Sequence, residues 1–391
     1  MKLTRTTRTG WLLVLPLLAF ILVTFIAPIA LMLLRSAYDP ELAELMPRTR
    51  VALAVWDGAG MPPATAFDAA RDDLATSAQQ GTTGRLVLRL NREGLGLGPL
   101  IEATCAALQT RPTAQLANLD PQWQSRAVWQ VLASQTQVFT ATHFLNAFDF
   151  KVDADGSVEP QDSSRRIYVA LFLRTLGVAA TVTVLCALLG YPLAHAITRS
   201  GPRLRLVLLF TVMLPFWTSL LVRATAWIVL LQRKGVLNEM LVAAGVLRDN
   251  QRLELIYNLT GTIIVMVHVL LPFFVLPLYS VMVGLPDAYV RASASLGARP
   301  LYTFWRVYLP LTFPGIASGS ILVFVLSLGY YVTPALVGGR TGQLISNQIA
   351  FHMQQSLNWG LAAALGSVLL AIVIMIALAL PHLTRRGGLS V

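Results

Sequence analysis

Charge is scarce in this chain: 13 % of its 391 residues are Asp, Glu, Lys or Arg, whereas 55 % are apolar. With a mean hydropathy of +0.63, this balance excludes a single soluble domain of such length and points to a membrane. Cysteine is nearly absent too. Cys105 falls in a polar region and Cys186 in an apolar run, so no internal disulfide is expected. The chain has no Gly-x-x-x-x-Gly-Lys-Ser/Thr loop, no Gly-x-Ser-x-Gly elbow and no His-Glu-x-x-His pair. It therefore carries no legible ATPase, hydrolase or metalloenzyme centre, and neither a cofactor nor a metal is expected in it.

Six apolar stretches are present, approximately 11–34, 176–197, 206–231, 259–285, 311–337 and 359–380. Each is long enough, at roughly 1.5 Å of helical rise per residue, to cross about 30 Å of hydrocarbon. The first exceeds the apolar run of a secretory signal and lacks a small-x-small cleavage site, so a retained helix is expected. No acid lies within any of the six, which disfavours a secondary transporter built on a buried carboxylate relay.

Basic residues set the expected orientation. Lys2, Arg5, Arg8, Arg199, Arg203, Arg205, Arg291, Arg299, Arg306, Arg385 and Arg386 lie at alternate segment ends, accompanied there by one acid, Asp287. Those ends are expected in the cytoplasm, as are both termini. The formal net charge of +11 is thus mostly a topology signal and gives little support to nucleic-acid binding. Residues 36–162 hold fifteen acids against nine bases, consistent with a mildly acidic outward domain. Its short runs read as helical over 64–78 and strand-like over 86–90. Trp123, Trp129, Phe139, Phe144, Phe148 and Phe150 supply aromatic mass for its own core or for packing on membrane helices. The Asp149, Asp153, Asp155, Gly156 stretch lacks a closing Glu at calcium-loop spacing and reads as an acidic turn.

Prolines and glycines interrupt the membrane part: Gly190 and Pro192, Pro215, Pro272 and Pro277, Pro314 and Gly319, and Pro334. Each proline removes a backbone donor, and in lipid the freed carbonyl needs a protein or water partner. Arg223 interrupts the third segment. It either reaches headgroups or faces a polar path, because a lone charge in hydrocarbon is costly. Trp217, Trp227, Tyr279, Tyr330 and Tyr331 offer aromatic faces for cation–π contact or simple packing.

Between the fourth and fifth segments lies a polar island, 286–310. Asp287 is placed to cap a helix running to Leu296 with its carboxylate, Gly297 to turn the chain, and Pro300 to open a second short helix through Val307. Ala288, Ala292 and Ser295 recur at helical spacing and leave one face almost without bulk. Such a face can seat deeply in a partner's groove.

This island resembles the signature loop of binding-protein-dependent ABC transporter permeases, in Ala292, Gly297, Leu309 and Pro310, with Ser293 replacing a second Ala and Arg291 standing where the family places Glu. Leu176 to Thr183, Gly190 to Ala194, Leu214 to Thr218, Leu221 to Arg223 with Trp227, Gly235 to Asn238, Val332 to Pro334 and Asn358 with Trp359 are similar to the spermidine/putrescine permease branch. The likeness covers roughly 170–385 and the first helix.

It implies an all-α membrane protein with six transmembrane helices of the type I ABC importer permease fold, resident in the bacterial inner membrane. The expected layout is a cytoplasmic N-terminus and first helix over 1–35, a periplasmic domain over 36–165 and a five-helix core over 166–391. Asp287, Arg291, Ala292, Ser293, Gly297, Leu309 and Pro310 would form the ATPase-coupling surface. Trp217, Arg223, Trp227 and Tyr331 would line a path or gate. The implied partners are ABC ATPase subunits carrying ATP and magnesium, a second permease subunit, a periplasmic substrate-binding protein, the lipid bilayer and a small solute, with polyamine favoured. A secondary transporter, or a membrane sensor with an outer ligand-binding domain, is the alternative.

Overall fold

The computed structural model describes residues 14–91, 96–152 and 157–386. Regular structure is helical throughout the described residues except for one antiparallel ribbon, Phe150–Val152 with Val158–Pro160. Five helices are long and apolar enough to cross a membrane: Val14–Leu34, Tyr168–Arg199, Leu259–Val283, Pro300–Leu328 and Trp359–Leu378. A sixth crossing is formed if Pro202–Trp217 and Leu220–Ala243, bent by 103° at their junction, count as one broken span. This is an all-α membrane protein with the multi-span character that hydropathy requires.

Two spans differ from the sequence expectation in their limits. The second begins at Tyr168, eight residues before the apolar run, because Asp149 Oδ1 accepts from the N–H groups of Ile167 and Tyr168 at 3.1 and 3.0 Å and so satisfies amides at the helix start. The fifth ends at Leu328, and 332–337 is a separate short helix carrying Pro334. After Gly329 the chain turns and Tyr331 leaves helical geometry, so apolar character continues where the helix does not.

The chain divides into two compact units, Met1–Tyr168 with Ile349–Val368, and Val169–Gln348 with Leu369–Val391. In the first, Leu42, Leu74, Leu86, Leu90, Ile101 and Leu132 surround Trp123 and Trp129, all fully buried. Trp123 Nε1 donates to Thr104 Oγ1 at 3.0 Å and Trp129 Nε1 to the Trp123 carbonyl at 2.8 Å, so both rings are buried with their polar edges satisfied. The strand-like reading of 86–90 is corrected: the segment belongs to the helix Thr83–Asn91. Leu86 and Leu90 are one turn apart and buried while Leu88 is 59 % exposed, a helical face that the residue pattern over five positions does not reveal. Asp153, Asp155 and Gly156 lie outside the described residues, whereas Asp149 is engaged in capping the second span.

A buried ionic cluster links distant parts of this unit. Asp39 Oδ2 accepts from Arg89 Nη2 at 2.8 Å and stands 3.3 Å from His143 Nε2. A Cβ on Gly360, in the last helix, would overlap that imidazole, so the ring closes directly on the helix backbone. Burial alone would raise the Asp39 pKa, but hydrogen bonding to His143 and the Arg89 charge hold it well below the carboxylate range. Its folded pKa being depressed, Asp39 contributes full stability above the unfolded value of about 3.9 and loses it only as pH falls through the lower folded value. Asp39→Asn is expected to cost about 2 kcal/mol at neutral pH, the scale of a charge-assisted hydrogen bond. Denaturant unfolding of the purified full chain should show that deficit shrinking as pH is taken well below 4; an unchanged midpoint at pH 7 would contradict it.

In the second unit the fourth and fifth spans pack along their length, around Met266, Leu270, Phe274, Leu278 and Val323. Cys186 is buried in this core and Cys105 in the other; both are free thiols. At the far end of the bent pair, buried Asn238 donates to the carbonyls of Gln232 and Leu253 and accepts from the Leu253 N–H at 2.9 Å. One side chain thus closes the loop that leads into the fourth span.

Candidate functional site

The segment joining the fourth and fifth spans folds as a short helix, Ala288–Ser295, followed by a turn. Gly297 sits at φ +81° with its N–H donating to the Ala294 carbonyl, while the Ala298 N–H reaches back to the Ser293 carbonyl. This left-handed closure satisfies the last carbonyls, and an L side chain at that position would be strained. Ser293 Oγ and Thr303 Oγ1, 2.9 Å apart, tie the short helix to the first turn of the fifth span. Val290 and Ser293 turn inward. Ala288, Arg291, Ala292 and Ser295 are exposed, and Leu296 is 88 % exposed. The bulk-free face expected from residue spacing is therefore open.

Two expectations for this segment are corrected. Asp287 makes no side-chain capping bond. Its carboxylate lies 3.6 Å from Arg199 Nη1 at the end of the second span, so a long-range charge has replaced a local cap. Nor is 300–307 a separate helix. Pro300–Thr303 runs through a five-residue π-helical stretch, Phe304–Tyr308, into Leu309–Leu328 as one continuous span. Pro310 cannot donate a backbone hydrogen bond and its ring crowds the preceding turn; a widened turn just ahead of it accommodates both. Leu309 and Pro310 are half-buried at this transition.

The second span braces the segment through residues that the motif does not contain. Tyr191, His195 and Arg199 are spaced by four and share one helix face. Tyr191 Oη lies 3.2 Å from Thr312 Oγ1, and its ring meets Phe304 edge-on at 5.9 Å. His195 Nδ1 lies 3.2 Å from Tyr308 Oη. Arg199 stands over the Tyr308 ring at 6.0 Å while facing Asp287. Beside this ladder opens a cavity of about 360 Å³ bordered by Thr198, Arg199, Arg205, Asp287, Tyr289 and Tyr308. Asp287 thus contacts the end of the second span, and Tyr308 and Thr312 contact that same span from the fifth. The recurrence of polar residues at 191, 195 and 199 along one helix face is the signal that could have located this ladder.

Around the bend of the broken span, Arg223 donates from Nη2 to the carbonyls of Pro215 and Thr218 and from Nε to Thr218 Oγ1 at 3.3 Å. These are the carbonyls released where Pro202–Trp217 ends and the chain turns before Leu220. The guanidinium is thus satisfied by the backbone of its own bend. Trp227 Nε1 donates to His268 Nδ1 on the fourth span at 3.2 Å, with the rings edge-on. Trp217 is 77 % exposed and Tyr331 42 % exposed, the latter with its carbonyl accepting from Asn347 Nδ2. Among the described residues, no hydrogen bond or ring contact joins Trp217, Arg223, Trp227 and Tyr331 to one another. Segment 286–310 is one continuous piece of chain between the fourth and fifth spans, whereas the four path candidates lie in separate contacts.

Comparison with known proteins places these features in a family. The spermidine/putrescine transport system permease protein PotB of Haemophilus influenzae is 37 % identical over 213 residues, 54 % of this chain and 74 % of that protein. The inner membrane ABC transporter permease protein YdcU of Escherichia coli is 37 % identical over 228 residues, 56 % of this chain and 72 % of its own length. A solved bacterial ABC transporter involved in the import of the acidic polysaccharide alginate aligns at 21 % identity, covering 57 % of this chain and 83 % of that one with a TM-score of 0.46. The family model for binding-protein-dependent transport system inner membrane components matches residues 187–386, which include the ladder, the broken span and the short exposed helix; the chain belongs to that family, the permeases of ABC importers.

Proposed function

We propose that this permease carries a polyamine such as spermidine or putrescine, or a related small solute, inward, and that ATPase subunits drive it by docking on segment 286–310. The observation that carries the coupling assignment is the exposed small-sided face of Ala288–Ser295, held between two spans and braced to a third. Rods packed this tightly respond to displacement at their ends by moving as bodies. In this reading the loop faces the cytoplasm with both termini, 36–165 stands on the outer face, and a periplasmic binding protein delivers cargo to a pathway shared with a second permease subunit. ATP and magnesium belong to the ATPase.

The cargo class rests on similarity to the spermidine/putrescine permeases; because the apolar segments hold no acid, aromatic faces, hydroxyls and carbonyls would have to meet the cation. Arg223, already bound to carbonyls, serves here as a fixed part of the bend rather than a substrate ligand. Calorimetric titration of the cognate binding protein with spermidine and putrescine tests the cargo; affinity for neither, with tight binding of another solute, would refute it.

Docking is tested on the open face. Ala292→Trp is expected to reduce binding-protein-stimulated ATP hydrolysis by the reconstituted complex at least tenfold, which is about 1.4 kcal/mol of lost coupling, while the chain still inserts and extracts normally. Full stimulation in that variant would remove 286–310 from the ATPase contact.

A further inference from the structure

Two tethers fix one stretch of the first unit at the ends of two spans. The Asp39 N–H donates to the Val138 carbonyl and the Thr140 N–H to the Ala37 carbonyl, both at 2.9 Å. The chain leaving the helix Val14–Leu34 is thereby paired with 138–140. Farther along, Asp149 accepts from Ile167 and Tyr168, where the second span starts. The stretch 138–149 therefore bridges the first span's exit and the second span's entry, with Ala37 and Asp39 three and five residues beyond Leu34 and Tyr168 the first residue of the second span.

What this bridge exposes is aromatic. Phe139 is 75 %, Phe148 49 % and Phe150 40 % exposed, and Tyr38, 43 % exposed, meets Phe139 edge-on at 5.4 Å. Trp123 and Trp129 of the same unit are buried in its core, whereas Trp359 is 41 % exposed. Arg35, Arg165 and Arg166, which adjoin the same span ends in sequence, are exposed as well. Rings at the hydrocarbon boundary beside cations that can reach phosphate match the chemistry of a phospholipid headgroup layer.

We propose that the 138–150 stretch rests in the headgroup region of the bilayer and binds anionic phospholipid there, so that the helical unit is held down on the membrane surface in addition to being threaded between two spans. Charge balance selects lipid over protein as the occupant: Arg35, Arg165 and Arg166 outnumber the nearby exposed acids Glu159 and Asp162, the latter already 3.6 Å from Lys151 Nζ, and phosphate is the anion present at that depth. The inference depends on the chain spanning a bilayer and not on which side the unit occupies.

The test uses the complex of permease and ATPase in nanodiscs containing phosphatidylcholine and phosphatidylglycerol. An environment-sensitive fluorophore is attached through Phe139→Cys and, in a second variant, through Phe148→Cys; Cys105 and Cys186 are buried and remain unlabelled. A nitroxide carried near the headgroup of the lipid is expected to reduce emission at both positions at least about twofold more than aqueous iodide does. Removing phosphatidylglycerol is expected to weaken that preference. Quenching by iodide alone would show a solvated surface, and protection from both quenchers would show a protein cover; either result at both positions overturns the proposal.

Discussion

Gly319→Leu is expected to reduce the recovery of folded, monodisperse protein at least tenfold. The fourth and fifth spans approach so closely at this position that a Cβ on Gly319 would stand 2.8 Å from the Phe274 carbonyl oxygen and 3.2 Å from the Phe274 Cα, while one on Gly315 would stand 3.0 Å from the Leu278 Cα. Glycines four apart lie on one helix face and let two backbones meet, which is the main source of helix association where lipid supplies no hydrophobic drive. The opposing atoms are backbone, so no rotamer change relieves the overlap. Phe274 cannot retreat either, because its ring already fills the space beside Gly190 of the second span. Inserting a side chain must separate the spans or unwind one of them, and overpacking of this kind disrupts the surrounding core. Gly177→Leu serves as the control, since nothing lies within 4 Å of its Cβ direction in this chain. Equal recovery and equal thermal midpoints for the two variants would show that the close approach does not hold the bundle together.

The readable part of this architecture is the part written in local periodicity. Length and hydropathy locate the spans because every backbone group inside lipid must be satisfied within its own segment, which leaves the helix as the default. Pro215 and Arg223 mark the broken span, although the depth of its 103° bend depends on carbonyls that the arginine must reach in space. Ala288, Ala292, Ser295 and Gly297 are legible as an exposed small-sided helix and its turn because spacing and left-handed geometry are local properties. Asp287 is not: a carboxylate before a helix reads as a cap, and only the folded chain places Arg199 opposite it. The same limit hides the pairing of His195 with Tyr308, separated by more than a hundred residues. Leu86 to Leu90 shows the converse, a short alternating run whose assignment is decided by which two leucines the surrounding helices bury. The four path candidates share a chemistry, a charge or an aromatic face within an apolar segment, and that chemistry does not specify a common location.

Arg223→Ala is expected to lower transport by the reconstituted complex by on the order of thirtyfold. At the bend, the carbonyls of Pro215 and Thr218 have no helical partner downstream; the guanidinium donates to both, and Pro215 also accepts from Thr218 Oγ1 at 3.1 Å. Removing it leaves the Thr218 carbonyl without that donor and Pro215 with the Thr218 hydroxyl alone; at about 2 kcal/mol for one group left unpaired, the bent conformation loses roughly that much relative to a straighter or disordered one. The bend also positions the helix Leu220–Leu231, from which Trp227 donates to His268 of the fourth span. A relaxed bend therefore shifts that donor away from the packed pair, and the damage propagates beyond the deleted side chain. Arg223→Lys keeps the charge but cannot reproduce a planar fork that serves two carbonyls and a hydroxyl together, so it should fall between wild type and alanine. That ordering separates a structural clamp from a charge acting on the cargo: if electrostatic repulsion of a cation were the residue's function, lysine would behave as wild type and alanine would speed cationic transport. Uptake rates for the three variants at matched membrane levels decide between these outcomes.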